Sequence, residues 1–192
     1  MDTSSLEYFI PKLASLKRGV TKFGLAPHKA ILLLSIFDLI DNHPSLELGI
    51  PIENELFTSF NRNWELLVKT GHNRNIFLPL HHLDDGLGWQ LISKQGIPVK
   101  KKFSSYATLE KEIAIGVFNE PFSQLLMKED IRLFFKHILL DSYFADTKEN
   151  YWKNSNSIDT PNYYQEIEQM ILEEPKQKYI ITEKSIEKYI RN

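Results

Sequence analysis

The sequence predicts an α+β fold: a helix-rich single domain with a small antiparallel sheet and a C-terminal linker and helical extension. An apolar run over 30–40 and apolar residues at helical spacing over 130–143 predict the helices. Two short strand-like runs around 84–86 predict the sheet. We expect residues 1–146 to form the domain and residues 147–192 the linker and extension.

The chain opens with a helix start signal. Ser4-x-x-Glu7 is a capping box, and apolar residues follow it at helical spacing. Residues 17–25, with Gly19 and Gly24, predict a loop before the longest apolar run.

That apolar run predicts a buried helix over 28–42, which ends at His43-Pro44 because proline cannot continue it. Residues 46–52 predict a short extended segment, and Asn54 is expected to cap the next helix. On the inner side of that helix we expect Phe57, Phe60, Trp64 and Leu67.

The second half adds the sheet. Residues 77–92 predict two short strands around Asp84-Asp85-Gly86, with Trp89 and Leu91 facing the core. Further helices are expected from about Thr108, over 121–126 and over 130–143. Residues 148–161 are polar and predict a linker, and residues 163–172 and 182–190 predict further helix or strand segments.

Composition limits the classes of function. The 192 residues include 42% hydrophobic and 12% aromatic side chains, enough for a packed core, and the absence of cysteine excludes disulfides and cysteine-ligated zinc. The amino terminus does not resemble a signal peptide, and no apolar run is long enough to span a bilayer. We therefore expect a cytoplasmic protein without a membrane partner.

Charge is uneven along the chain. The formal net charge is −2, so a nucleic-acid surface would have to be local. Residues 1–35 carry five basic and two acidic side chains, and residues 61–105 carry seven and three. Residues 146–192 carry seven basic and nine acidic side chains. The two basic zones could form one face.

The start of the buried helix predicts an anion site. Its first turn is held rigidly by the apolar helix, and its free N–H groups lie beside His28 and Lys29. We therefore expect this position to bind a phosphate group. The alternative is that His28 and Lys29 are solvated side chains at a helix start and bind no ligand.

Three blocks in order resemble a known family: APHKAILLL at 26–34, LPLHHLDDGLGW at 78–89 and LLDSYF at 139–144. They resemble the DNA sulfur-binding domain that precedes the nuclease in HNH-type restriction endonucleases. Members of that family recognise phosphorothioate-modified DNA, in which sulfur replaces a non-bridging phosphate oxygen. The resemblance covers roughly residues 5–145 and implies double-stranded DNA, phosphorothioate-modified or otherwise modified, as the partner.

The resemblance also implies site residues. The family's turn at the modified phosphate matches Pro27-His28-Lys29, although arginine usually stands where this chain has Lys29. The family's Tyr-Pro-Phe segment, an apolar cup for sulfur, aligns with Leu78-Pro79-Leu80, and a small residue of the cup aligns with His82. The residues expected around the modified phosphate are therefore His28, Lys29, Leu78, Pro79 and His82.

Neighbouring phosphates have candidate ligands as well. These are Asn73, Arg74, Lys100, Lys101 and Lys102, with ordinary solvated loop charges as the alternative. The segment 189–192 resembles the lead into an HNH module, so we expect the nuclease, with any divalent metal, to lie outside this chain. No cofactor is expected within it, and homodimer formation stays open.

Metal binding and catalysis within the chain are not expected. A metal site at His72, His81 and His82 is conceivable, but adjacent histidines on a strand would point to opposite faces and could not easily share one ion. Asp159 and Glu174-Pro175-Lys176 match a nuclease spacing, but proline and a polar linker surround them. A different class of function stays open: a protein-interaction module that docks a partner or second copy through residues 163–190.

Overall fold

A computed structural model describes residues 3–44, 46, 49–103 and 105–154 of the chain. The chain divides after Tyr151 into two units, 1–151 and 152–192, and the second is described only as far as Asn154. The helices are α1 (Thr3–Ala14), α2 (His28–Asn42), α3 (Asn54–Leu67), α4 (Phe77–His82), α5 (Tyr106–Glu112), α6 (Glu120–Leu126), α7 (Glu129–Tyr143) and α8 (Lys148–Asn154). The strands are β1 (Val20–Thr21), β2 (Gly24–Leu25), β3 (Ile50–Pro51), β4 (Gln90–Ser93), β5 (Pro98–Val99) and β6 (Ile113–Val117).

The predicted α+β class is confirmed, and α2 is the centre of the core. Every residue from Ala30 to Ile40 is buried, and α3, α4 and α7 all pack against this helix. The predicted bounds of α2 are correct: the helix starts after Pro27 and ends at His43, whose N–H reaches the carbonyls of Leu39 and Ile40. No helix in the described part of the chain combines the length and apolar character needed to cross a bilayer.

The main sheet is antiparallel, with the strand order β3-β6-β4-β5. Trp89 and Leu91 are buried, as predicted. The Trp89 ring lies where a Cβ on Gly116 would be, so position 116 admits only glycine without rearrangement. The Trp89 indole N–H donates to the carbonyl of Leu80 at 2.7 Å, which ties α4 to the sheet.

The predicted strand before Asp84 is wrong, because residues 77–82 form helix α4. The Asn75 side-chain oxygen accepts from the N–H groups of Phe77 and Leu78 at 2.9 and 3.4 Å and thereby starts the helix. Pro79 falls in the first turn of α4, where its missing N–H costs no helical hydrogen bond.

Two smaller predictions also need correction. The predicted loop over 17–25 contains the antiparallel hairpin β1–β2, in which Thr21 pairs with Gly24. The predicted linker from residue 148 begins instead with helix α8. Residues 155–192, with the predicted segments there, lie outside the described residues, as does the side chain of Ser4 in the predicted capping box.

A buried polar network joins α2 to three other helices. Asp38 of α2 accepts from Lys136 of α7 at 2.6 Å, from Asn63 of α3 at 2.8 Å and from the hydroxyl of Tyr151 in α8. Asp41 accepts from Lys136 at 2.6 Å. Burial alone would raise the pKa of Asp38, but the Lys136 ammonium and the hydrogen bonds lower it. The pair is therefore ionised inside the fold.

Candidate nucleic-acid interface

The first turn of α2 is partly covered. Pro27 is buried, and His28 and Lys29 are partly exposed. His28 Nε2 donates to the carbonyl of Asn73 at 2.8 Å, and its ring lies edge-on to Trp64 with centroids 4.7 Å apart. Burial lowers the pKa of His28, outweighing the hydrogen bond to Asn73, which raises it. At neutral pH His28 is an uncharged hydrogen-bond donor that fixes the 70–75 loop.

Lys29 is already paired with an anion of the same chain. Its ammonium lies 2.7 Å from Asp85 Oδ2, and the two side chains are 14% and 8% exposed. Asp85 also accepts from the backbone N–H of Lys17 at 3.1 Å. The turn that carries Asp85 has a φ of +36° at this residue, an uncommon backbone conformation for a non-glycine residue. A carboxylate therefore stands where the sequence predicted an external phosphate.

The β1–β2 hairpin packs beside this turn. Thr21 Oγ1 and Thr70 Oγ1 hydrogen-bond the two ring nitrogens of His72 at 2.8 and 2.6 Å. A Cβ on Gly71 would come within 2.7 Å of the Phe23 ring, so the loop and the hairpin are in close contact. The two basic zones of the sequence therefore meet here.

The hairpin also exposes apolar side chains. Val20, Phe23 and Leu25 are 83%, 44% and 50% exposed, beside the cations Lys17 and Lys22. The sequence interpretation missed this surface because it assigned residues 17–25 to a loop. The sequence did contain a hairpin signal: strand-type residues, Val20 and Thr21, followed after two residues by Gly24 and Leu25.

Helix α4 places the predicted cup residues differently from a strand. Leu78 and His82 stand one turn apart on the same helix face, and both are exposed, Leu78 at 56%. Pro79 is buried against the core. The apolar surface offered at this position therefore comes from Leu78, with His82 beside it.

The Lys100–Lys102 segment is held next to α4. The backbone N–H of Phe103 donates to His81 Nε2 at 2.9 Å, and the two rings stack with centroids 5.4 Å apart. Burial lowers the pKa of His81, and the charges of His82 and Lys102 lower it further. His81 thus accepts as a neutral ring, and this bond fixes the carboxyl end of the lysine segment at α4.

Two of the predicted phosphate ligands have acidic partners. Arg74 lies 2.9 Å from Glu65 and Lys101 lies 2.8 Å from Glu112, with all four side chains at least 36% exposed. Surface pairs of this kind are worth only about 0–1 kcal/mol, so an arriving phosphate can replace the acidic partner. Asn73 is exposed, and its carbonyl is bonded to His28.

The predicted absence of a metal site stays a prediction, but its stated reason changes. His81 and His82 are on a helix rather than a strand, and both ring nitrogens of His72 are bonded to threonine hydroxyls. No group of three or more metal-ligating side chains occurs among the described residues. Asp159, Glu174 and Lys176 lie outside the described residues.

Hydrogen bonds thus connect the segments that carry the predicted site residues. The His28–Asn73 bond joins the start of α2 to the 70–75 loop, Asn75 starts α4, and the His81–Phe103 bond holds the lysine segment. We refer to this assembly of the β1–β2 hairpin, the first turn of α2, residues 70–82 and Lys100–Lys102 as the connected surface. No protein-family model matches the chain, and no curated protein matches it either.

Proposed function

We propose that this chain is a cytoplasmic DNA-binding recognition domain that reads a modified phosphate and directs an HNH restriction endonuclease to it. The observation that carries the proposal is the connected surface. Hydrogen bonds link the start of α2 to the 70–75 loop, and α4 to the residue after the lysine segment, and exposed cations of both basic zones and exposed apolar side chains lie on these segments. Phosphate contacts by such cations provide affinity for duplex DNA.

Recognition of sulfur requires apolar atoms beside the anion. Sulfur is larger and more weakly hydrated than oxygen, so apolar contacts favour it, whereas an oxygen there loses its hydrogen bonds to water. Leu78, 56% exposed on α4, supplies such atoms, and His82 lies next to it. The order of the sequence blocks, which resembles that of sulfur-binding domains, supports the same assignment.

The Lys29–Asp85 ion pair must be shared or broken before Lys29 can bind a phosphate. A phosphate that contacts Lys29 must share the ammonium with Asp85 or displace the carboxylate. Both anions would stand close together at a poorly solvated position, which disfavours weak or non-specific phosphate contacts. Asp85 therefore competes with a DNA phosphate for Lys29 and lowers the affinity of this position for phosphate.

The exposed hairpin favours a second candidate function, docking of another protein. Val20, Phe23 and Leu25 form an apolar group of the kind found at protein interfaces. The two functions differ in their response to salt. DNA binding through phosphates weakens steeply with ionic strength because counterions are released, whereas apolar docking responds little.

The test is a titration of the chain with two matched duplexes, one with a single phosphorothioate and one without. We expect DNA binding that weakens with salt, and at least about tenfold tighter binding of the modified duplex, the lower range of discrimination by apolar pockets. Equal affinity for both duplexes would remove sulfur recognition and leave DNA binding. Absence of binding to either duplex would contradict the proposed function.

A further inference from the structure

An open pocket lies between α3, the segment that precedes α4, and the start of α5. Its volume is about 390 Å³, within the range of about 300–1,000 Å³ typical of small-molecule sites. Phe60 and Ile76 of its lining are buried, and the other lining side chains are polar or aromatic and at least partly exposed. The lining residues are Asn54, Phe57, Phe60, Asn61, Arg74, Asn75, Ile76, Phe77 and Tyr106.

The polar side chains of this pocket are mostly carboxamides. In the described part of the chain, the side chains of Asn54 and Asn61 make no hydrogen bond, and both residues are exposed. Asn75 uses its oxygen to start α4. A carboxamide offers a donor and an acceptor side by side, and the edges of nucleobases present the complementary pattern.

Aromatic rings also line the pocket. Tyr106 meets Phe57 edge-to-face with centroids 5.0 Å apart, and Phe77 lies 6.2 Å from Phe57. All three side chains are partly exposed. Aromatic faces beside hydrogen-bonding groups are what proteins use to hold a single unstacked base.

A cation completes the pocket. Arg74 lines it, and among the described residues its guanidinium forms an exposed pair with Glu65 at 2.9 Å. A guanidinium binds phosphate oxygens in a forked geometry and can leave a surface carboxylate for them at little cost. Aromatic rings, carboxamides and a guanidinium-bearing residue therefore line the same pocket.

We propose that this pocket binds one nucleotide, with the base against Tyr106 and the asparagine carboxamides and the phosphate at Arg74. The nucleotide would come either from DNA, turned out of the duplex, or from free nucleoside monophosphate. The DNA source rests on the proposed function. It is favoured because residues 73–78 belong to both the connected surface and the pocket. Asn73 binds His28 and Leu78 is exposed on α4, while Arg74 to Phe77 line the pocket.

The first experiment uses free ligands and does not depend on DNA binding. The full chain is titrated with adenosine and cytidine 5′-monophosphates, and with ribose 5-phosphate as a probe without a base. We expect both nucleotides to bind and ribose 5-phosphate to bind at least about fivefold more weakly, the loss expected for one stacked base. Ribose 5-phosphate binding as tightly as the nucleotides would overturn the proposal.

Variants locate the binding in the pocket. Tyr106→Leu and Asn61→Ala should each weaken nucleotide binding, by about fivefold for the lost ring, whereas Tyr106→Phe should keep most of the affinity. Gln124→Ala removes an exposed carboxamide of α6 outside the pocket and serves as the matched control. Unchanged nucleotide binding in folded Tyr106→Leu and Asn61→Ala proteins would overturn the proposal.

The second experiment tests the DNA source with a duplex that contains one central mismatch. A mismatched base leaves the stack at lower cost, so the mismatched duplex should bind more tightly than the matched one, and Tyr106→Leu should remove the difference. If the mismatched and matched duplexes bind equally tightly, the pocket does not take a nucleotide turned out of the duplex, and the proposed function is unaffected. Tyr106-dependent binding of free nucleotides without DNA binding would overturn the proposed function and support the pocket.

Discussion

Lys29 and Asp85 form a nearly buried ion pair at the first turn of α2, with 2.7 Å between the ammonium and Oδ2. The residues are 56 positions apart in the sequence. The ammonium of Lys29, which was expected to bind a phosphate, is therefore already neutralised by a carboxylate of the same chain.

Asp85→Asn should tighten DNA binding. Asparagine tolerates the positive φ at this position, and it removes the charge that competes with phosphate for Lys29. Because the pair is nearly buried, removal of the competing charge is worth at least about 1 kcal/mol, so we expect a gain of about tenfold or more, measured by duplex titration. Asp84→Asn removes the same charge one residue away and is the control; an equal gain in both variants would show that Asp85 has no specific role.

The Lys100–Lys102 segment should contribute to the salt dependence of DNA binding. Each lost phosphate contact reduces the slope of log K against log salt by about 0.9, so Lys100→Ala with Lys102→Ala should reduce it by about 2. Lys128→Ala is the control, because Lys128 lies near the opposite end of α2, where Arg132 of the next turn pairs with Asp41 at 2.6 Å. Identical slopes in the double variant and the wild type would exclude phosphate contacts by this segment.

Lys136→Met should be strongly destabilising. It removes the buried ammonium that pairs with the buried carboxylate of Asp38 and with the more exposed carboxylate of Asp41, so we expect a loss of about 3–5 kcal/mol in the free energy of unfolding. Denaturant unfolding measures this change. Lys101→Met breaks the exposed pair with Glu112 and should cost no more than about 1 kcal/mol. Similar losses in both variants would contradict a special role for the buried network.

Stability should fall as the pH decreases from about 6.5 to 4. Burial lowers the pKa of His137 to about 4, so in this interval the unfolded chain binds a proton that the native chain does not. His137 keeps some solvent contact, which limits the loss to about 1–2 kcal/mol. Burial also lowers the pKa of His28 and His81, which adds to the loss in the same direction.

Denaturant unfolding of His137→Gln at several pH values measures that contribution. The variant should lose part of the decrease, because glutamine takes up no proton in this interval. A wild-type pH profile in His137→Gln would assign the decrease to other groups.

The bounds of α2 could be predicted from the sequence because local chemistry determines them. The apolar run is bounded by Pro27 and by His43-Pro44, and proline limits a helix at either end for steric reasons. Residues 77–82 could not be assigned in this way. A short apolar run lacks a clear periodicity, and α4 is selected by the Asn75 cap and by packing against α2 and Trp89.

The candidate site was predictable only in part for a related reason. His28 and Lys29 stand out because they follow proline at the start of an apolar helix, which is a local signal. Their partners, Asn73 and Asp85, come from loops distant in sequence, and the fold alone brings them together. The proposed nucleotide pocket is lined by residues of α3, α5 and the 74–77 segment. Because these segments are distant in sequence, no motif predicts the pocket.

The buried polar network determines how α2 is oriented about its own axis. A cylinder that is apolar on all sides has no energetically preferred rotation, but Ser35, Asp38 and Asp41 follow one another at three-residue intervals and give α2 a single polar edge. Turning the helix would separate this edge from Asn63 and Lys136. The orientation of His28 about the helix axis is therefore set about two to four turns away, and substitutions in that network should misalign the first turn without contacting it.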